Sequence, residues 1–317
     1  MTWIAPIWLY LWMAGMAGGA YFAAFLAERF AGETNRKLLR LSVYLGIPLA
    51  IIGVMLLVID LGHPLRFWHL FTQFKVISPM SMGTWILLLW VGIAVVMVIL
   101  WWVENRLVLT EQVARKLRKT IDNLAWVNLV LSVLLIAYTG VLLAVSNQPL
   151  WAGTVLLPSL FVASAISTGV AILIITAMIA NVISRGNLIE LKMAINWLFG
   201  SNDWTIPNRR VERLAEADAI IILVELAVLI GYAIWLGAST MAGAGEALRL
   251  LTMGALAVPF WVGVVLLALL IPFGLDIANW GKEIEAKAVW RTIAVSSVCV
   301  ILGGLVLRAL MVIGGQM

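Results

Sequence analysis

Charge, cysteine and histidine are what this chain of 317 residues lacks. Only 12% of it is Asp, Glu, Lys or Arg, where an ordinary soluble domain carries roughly 25%. Hydrophobic residues make up 63%, which argues for a bilayer as solvent and against a water-soluble core. The single cysteine, Cys299, lies in an apolar run. It excludes an internal disulfide and an iron–sulfur cluster, which usually needs about four cysteines. The two histidines, His63 and His69, sit six residues apart in one polar-flanked segment, so paired axial histidines for a membrane b-type haem are absent. The expectation is a chain with no haem or iron–sulfur cluster of its own. The first residues, Met1 to Pro6, carry no basic stretch, and no cleavable signal peptide is expected. A formal charge of +5 raises the question of nucleic acid, but the basic residues are spread between apolar runs, as in ordinary membrane proteins.

What is present is a series of apolar runs. About 20 mostly apolar residues span a hydrocarbon core, and eight runs qualify: about 4–27, 42–60, 82–103, 124–145, 157–183, 219–240, 250–273 and 289–312. Each must be helical, because lipid offers no partner to an open backbone group. The fold class expected is therefore all-α, an integral bundle of eight transmembrane helices forming a single membrane domain over 1–317. Its first half is 4–145; its second, 157–312, contains a link at 184–218. Of the 21 basic residues, 17 fall in the connections after helices one, three, five and seven; only Arg66, Lys75, Arg249 and Arg308 fall on the other side. The asymmetry predicts a cytoplasmic location for the first set and both termini outside.

Two connections carry more than length. In the 184–218 link, Leu188, Leu191, Ile195, Leu198 and Phe199 recur at helical spacing. This predicts an amphipathic interfacial helix, a plain loop being the alternative. The outer connection, about 61–81, holds both histidines, Phe67, Trp68, Phe71 and the pair Ser78–Pro79. A docking surface and an aromatic belt at the interface both suit that composition. Gly15, Gly18 and Gly19 form a small-residue stripe on helix one, which reads as close helix packing and not as a phosphate loop, since no strand precedes it.

An ionisable side chain at bilayer depth costs about 2.5–3.5 kcal/mol on insertion scales, so each one is informative. Asp60 ends helix two, Asp276 follows helix seven and Arg308 lies near the outer end of helix eight. Asp218 and Glu225 are seven residues apart and share one helix face. Glu225 reads either as a proton relay or ion-pair partner, or as a protonated carboxyl hydrogen-bonded between helices. Arg308 calls for a carboxylate or a partner subunit. Helix four carries Asn128, Ser132, Tyr138 and Thr139. A tyrosine hydroxyl there can donate to a carbonyl, as a quinone requires, or anchor the helix at the interface.

The stretch Asp60-Leu61-Gly62-His63-Pro64-Leu65-Arg66-Phe67-Trp68-His69-Leu70, followed by Ser78-Pro79-Met80-Ser81-Met82-Gly83-Thr84-Trp85, closely resembles the signature of the NrfD-like family, membrane subunits of polysulfide-reductase-type complexes. Gly15 to Ala20, Tyr138 to Ala144, Asn147 to Trp151, Leu302 to Arg308 and Gly314 to Gln316 agree with it in order. The resemblance implies an eight-helix, haem-free anchor in a bacterial or archaeal inner membrane that binds a quinone, menaquinone or ubiquinone. It implies a four-cluster, ferredoxin-like iron–sulfur subunit docked on the outer loops, with His63, Arg66, Trp68, Ser78 and Pro79 in the docking loop. A molybdopterin catalytic subunit is implied beyond it. By position, Tyr138 matches the helix-four tyrosine that holds a quinone oxygen, and Asp60 to His69 the loop beside it. In the polysulfide reductase an asparagine and a histidine before the helix-one glycines also contact the quinone; Ile7 and Tyr10 stand there in this chain. Tyr10, Asp60 and His69 are the substitutes considered. Glu225, Asp218, Asp276 and Arg308 are candidates for a proton path. A secondary transporter or ion-conducting protein is the alternative function, although Gly/Pro-interrupted helices in matching halves are not evident.

Overall fold

The computed structural model describes residues 5–30, 36–60, 78–108, 110–146, 148, 150–151, 154–186, 189–199, 205–241, 243–281 and 287–317. The long helices are α1 (Ala5–Phe30), α2 (Lys37–Asp60), α3 (Pro79–Arg106), α4 (Glu111–Ala144) and α5 (Leu156–Arg185). A short α6 (Ile189–Phe199) precedes α7 (Asn208–Ala238), and a short α8 (Ala244–Thr252) precedes α9 (Pro259–Asn279) and α10 (Lys287–Gly314). All but α6 and α8 are long and apolar enough to cross a membrane, eight in number. No strand occurs among the described residues.

The spans follow the hydropathy reading except at three helix starts, the first being α4, which begins at Glu111 and not near 124. α7 begins at Asn208, not near 219. Its 31 residues rise roughly 46 Å, beyond a hydrocarbon core of about 30 Å. The charged turns Arg209 to Glu216 can therefore be helical without being in lipid. The seventh span starts late: the stretch from 250 does not run on into it. α8 carries Glu246 and Arg249 and stops when the amide of Gly254 bonds back to the Arg249 carbonyl at 2.8 Å. Pro259, which needs no amide partner in a first turn, then opens α9. The first part of α9, Pro259–Leu270, is wound as a π-helix. The 184–218 link contains a helix, α6.

α1 and α5 are the spine. Of their apolar windows 72% is buried, against 28% for α2 and α3, whose outward faces are left to lipid. The two spine helices touch backbone to backbone: a Cβ on Gly19 would fall on the Ala165 carbonyl, and one on Gly169 on the Gly19 backbone. Only glycine permits that approach. The glycine stripe of α1 thus packs, as expected, but on different neighbours: Gly18 meets Ile136 of α4, and Gly15 leaves space for Arg308 of α10.

One end of the bundle gathers the charge. Arg36 pairs with Asp122, Arg118 Nε donates to Glu104 at 2.8 Å, and Arg40 reaches the same carboxylate at 3.4 Å. Lys37 donates to the Thr205 carbonyl at 3.3 Å, tying α2 to the segment before α7. α2 runs away from this basic end toward Asp60, and α4 runs away from it toward Tyr138.

Candidate functional site

Toward the far end, α1, α2 and α3 enclose a cleft of about 230 Å3. Its walls are aliphatic, with Ile51, Val54 and Val58 from α2 and Leu87 and Val91 from α3. Tyr10 and Thr84 are the lining residues that carry a hydroxyl, and the surface of the cleft is almost wholly apolar. Ile51, Met55 and Leu88 on its rim are exposed, so the cleft opens sideways, where lipid would lie. Behind Tyr10 stands Tyr138. Both rings are buried, and their hydroxyls interact side chain to side chain.

This pair rests on two glycines. A Cβ on Gly83 would fall within the Tyr138 ring, so glycine at that turn of α3 is the seat of the phenol. A Cβ on Gly53 would lie 3.2 Å from Tyr10 Cδ2, so the second ring lies flush on α2. The result is an apolar slot with an uncharged pair of buried phenols beside it. Phenols supply one donor and acceptor capacity each and no net charge, which suits a neutral, lipid-soluble molecule bearing oxygens.

Deeper along α4, Trp90 Nε1 donates to Ser132 Oγ at 2.7 Å, and Ser132 donates to the Asn128 carbonyl at 2.8 Å. Tyr21 donates to the Ala125 carbonyl at 3.0 Å. Thr139 is buried and donates to its own helix at Ile136. These groups form a polar core strip beside the slot and do not line it.

A second buried polar system crosses the other half of the bundle. Arg308 is fully enclosed, with Nη1 donating to Ser164 Oγ at 3.2 Å and to the Gly304 carbonyl at 3.0 Å. Its Nε and Nη2 find no hydrogen-bond partner among the described residues. The guanidinium packs over the Phe161 ring, 5.6 Å from its centroid, a cation–π contact. Glu225 of α7 shares Ser164 with it and feels its charge. Further toward the basic end, Ser167 donates to Asp218 Oδ1 at 2.8 Å, and Asp218 feels both Glu225 and Asp276. Asp276 interacts with Ser296. All four ionisable side chains are buried.

The sequence-derived candidates are therefore sorted into two groups. Tyr10 and Tyr138 are brought together, and so are Arg308, Glu225, Asp218 and Asp276. One of these positions differs from expectation. Asp276 lies within the last turns of α9, buried, rather than after the helix. Arg308 lies near the end of α10 and is fully buried. Ser78 and Pro79, expected in the docking loop, instead open α3: Ser78 is its N-cap, and its carbonyl accepts the Met82 amide at 3.0 Å. His63, Arg66, Trp68 and His69 lie outside the described residues, as does the side chain of Asp60. The sequence reading missed Thr84 on the cleft and the hydroxyls of Ser164, Ser167 and Ser296 that hold the charged groups. Ser164, Ser167 and Thr168, at helical spacing in an otherwise apolar α5, were the available signal.

The whole chain, residues 1–317, matches the family described as Polysulphide reductase, NrfD. It is 30% identical to the C component of polysulfide reductase from Wolinella succinogenes over 293 residues, 88% of this chain and 84% of that one. It is 33% identical to protein NrfD of Escherichia coli over 192 residues, 56% of this chain and 60% of that one. To the protein NrfD homolog of Haemophilus influenzae it is 27% identical over 335 residues, covering 100% of this chain and 95% of the other. An eight-span bundle, end-to-end agreement with one family and a relative covered over most of its length lead to one assignment: the chain belongs to the NrfD family.

Proposed function

We propose that this chain is the quinone-reactive membrane subunit of a respiratory oxidoreductase, passing electrons between the quinone pool and an iron–sulfur partner. The relative named as a component of polysulfide reductase supports a place among other subunits. The partner in this proposal is a four-cluster, ferredoxin-like protein, with a molybdopterin subunit beyond it. The observation that carries the reading is the buried Tyr10–Tyr138 hydroxyl pair closing an apolar cleft between α2 and α3.

A neutral quinone head fits that slot by its chemistry: aliphatic walls for the ring and tail, hydroxyls for an oxygen, and no fixed charge. When bound, the quinol form supplies two electrons and two protons. Tyr10 reaches the cleft and Tyr138 backs it, so Tyr138 orients Tyr10 and holds its hydroxyl toward the carbonyl position. Thr84 Oγ1, which donates to the Met80 carbonyl at 2.9 Å, keeps its lone pairs to accept from a quinol hydroxyl. The aliphatic walls exclude water. Asp60, at the end of the helix that lines the cleft, and His69 are the groups proposed to take a proton there.

The basic end carries 17 of 21 Lys and Arg residues, which supports an orientation with that end in the cytoplasm, the cleft in the outer half and both termini outside. The string Arg308–Glu225–Asp218–Asp276 runs toward the basic end, and we assign it to proton movement across the second half. Ser167 donates to Asp218, Ser164 and Ser296 interact with Glu225 and Asp276, and Arg308 supplies the opposite charge.

The test uses the complex purified with its native partners. Tyr138→Phe is expected to slow quinol oxidation about tenfold, the worth of one hydrogen bond near 1.4 kcal/mol, with assembly intact. Unchanged turnover would remove Tyr138 from the mechanism. Glu225→Gln is expected to cut proton uptake or release per electron pair, and undiminished proton movement would end the second assignment. Copurification of a protein with sixteen cluster-binding cysteines separates this reading from transport.

A further inference from the structure

A larger cleft, about 510 Å3, lies at the basic end, where α1, α5 and α7 meet. It is remote from Tyr10 and takes no part in the quinone chemistry proposed for the other end. Its inner walls are apolar, with Leu26 from α1, Ile166 and Val170 from α5 and Leu214 and Ile221 from α7. Its mouth carries three arginines, Arg209, Arg210 and Arg213.

The order along α7 matters. Arg209, Arg213 and Ala217 are spaced by four and share a face, followed by Ile221. From Arg209 to Ile221 is roughly 18 Å at 1.5 Å per residue. One face of one helix thus presents guanidinium at the membrane surface and an apolar track leading inward. That is the polarity of a lipid with its head at the surface and a chain along the helices.

Charge balance agrees with that reading. Three other arginines at this end are already matched: Arg36 by Asp122, and Arg40 and Arg118 by Glu104. Arg209 and Arg213 have no ion pair among the described residues. Two nearby carboxylates make bonds elsewhere. Glu28, which feels Arg210, accepts the Leu39 amide at 3.0 Å, and Glu216 accepts the Gly281 amide at 3.2 Å. A neutral quinone leaves both guanidiniums without a counter-charge; an anionic headgroup does not.

We propose that this cleft is a binding site for an anionic phospholipid, its phosphate held by Arg209 and Arg213 and one acyl chain lying between α1, α5 and α7. A basic pocket between membrane helices is the recognised chemistry for such headgroups. Three helices from both halves of the bundle meet there, so the lipid would also tie α1 to α7.

Native mass spectrometry of the intact, delipidated complex tests this, with phosphatidylglycerol and phosphatidylcholine of identical acyl composition as probes. Phosphatidylglycerol is expected to bind as one tight equivalent, at least about tenfold more tightly than phosphatidylcholine. The double variant Arg209→Ala/Arg213→Ala should weaken it about 25-fold, roughly fivefold per guanidinium, and leave phosphatidylcholine unchanged. Ala27→Trp, which fills the groove with the arginines intact, should weaken both lipids. Should the double variant not assemble, Arg209→Lys/Arg213→Lys retains the preference, and Arg213→Gln alone lowers it about fivefold. Equal binding of the two lipids, indifference to the arginine variants, full displacement by millimolar inorganic phosphate, or a quinone recovered from this cleft would each overturn the proposal.

Discussion

The two buried polar systems of this bundle are opposites. The Tyr10–Tyr138 pair is uncharged, is held by ring packing on glycine and borders a cleft that opens to lipid. The Arg308–Glu225–Asp218–Asp276 string is ionisable, is fixed by serine hydroxyls and is enclosed on all sides. A neutral guest can be admitted from the side only where no charge must be desolvated. Charges can be kept at bilayer depth only where hydroxyls and an opposite charge replace water. The first system is built for exchange with the membrane and the second for retention.

Breaking the string should have the largest effect. Arg308→Met leaves Glu225 in a site shaped for its cation, and removing one partner of a buried pair costs about 3–5 kcal/mol. A large fall in the thermal midpoint of the purified protein is expected, with much of it restored when Glu225→Gln is added; no restoration would show that the two do not act together. Gly83→Val comes next, because any side chain there meets the Tyr138 ring. Overpacking of about 1–3 kcal/mol should appear as lowered stability together with lost quinol turnover, read on the same sample. Tyr10→Phe keeps the ring and removes only a hydroxyl, so turnover about tenfold slower at unchanged stability is expected. Thr84→Val should be the mildest, a few-fold change in apparent quinol affinity, on the order of 0.5–1 kcal/mol. If Thr84→Val outweighs Tyr10→Phe, the orientation of the guest in the cleft is reversed.

Much of the architecture was legible because lipid leaves few options: an apolar run of span length has to be a helix. The exceptions show the limit of hydropathy. From Leu250 to Leu256 the residues are mostly apolar, yet the Gly254 amide turns back to Arg249 and Pro259 restarts the helix. A backbone hydrogen bond and a missing amide decide that boundary, and neither is apolarity. Arg209 to Glu216 departed the other way, since charge ends a span without ending a helix.

At the sites, single residues were legible and their neighbours were not. Tyr138 and Arg308 stand out as polar residues in apolar runs. That Gly83 seats the Tyr138 ring, or that Gly15 leaves room for the Arg308 guanidinium, depends on helices far apart in sequence. The family motifs hold these segments in order along the chain, and order carries no information about which of them touch. The same holds for Trp151, which donates to the Met311 carbonyl at 2.7 Å and occupies the space over Gly315. Three pairs of motifs prove to be three contacts.

The enclosure of Arg308 also bears on how the polypeptide enters a membrane. α7 precedes α10 in the sequence, so Glu225 reaches the bilayer before the cation that will neighbour it exists there. During that interval its hydroxyl partner, Ser164 of the still earlier α5, is already in place. A lone arginine helix is costly to insert, and α10 meets a pre-formed polar berth on arrival. The last long helix is thereby recruited by its predecessors, and its docking closes the assembly.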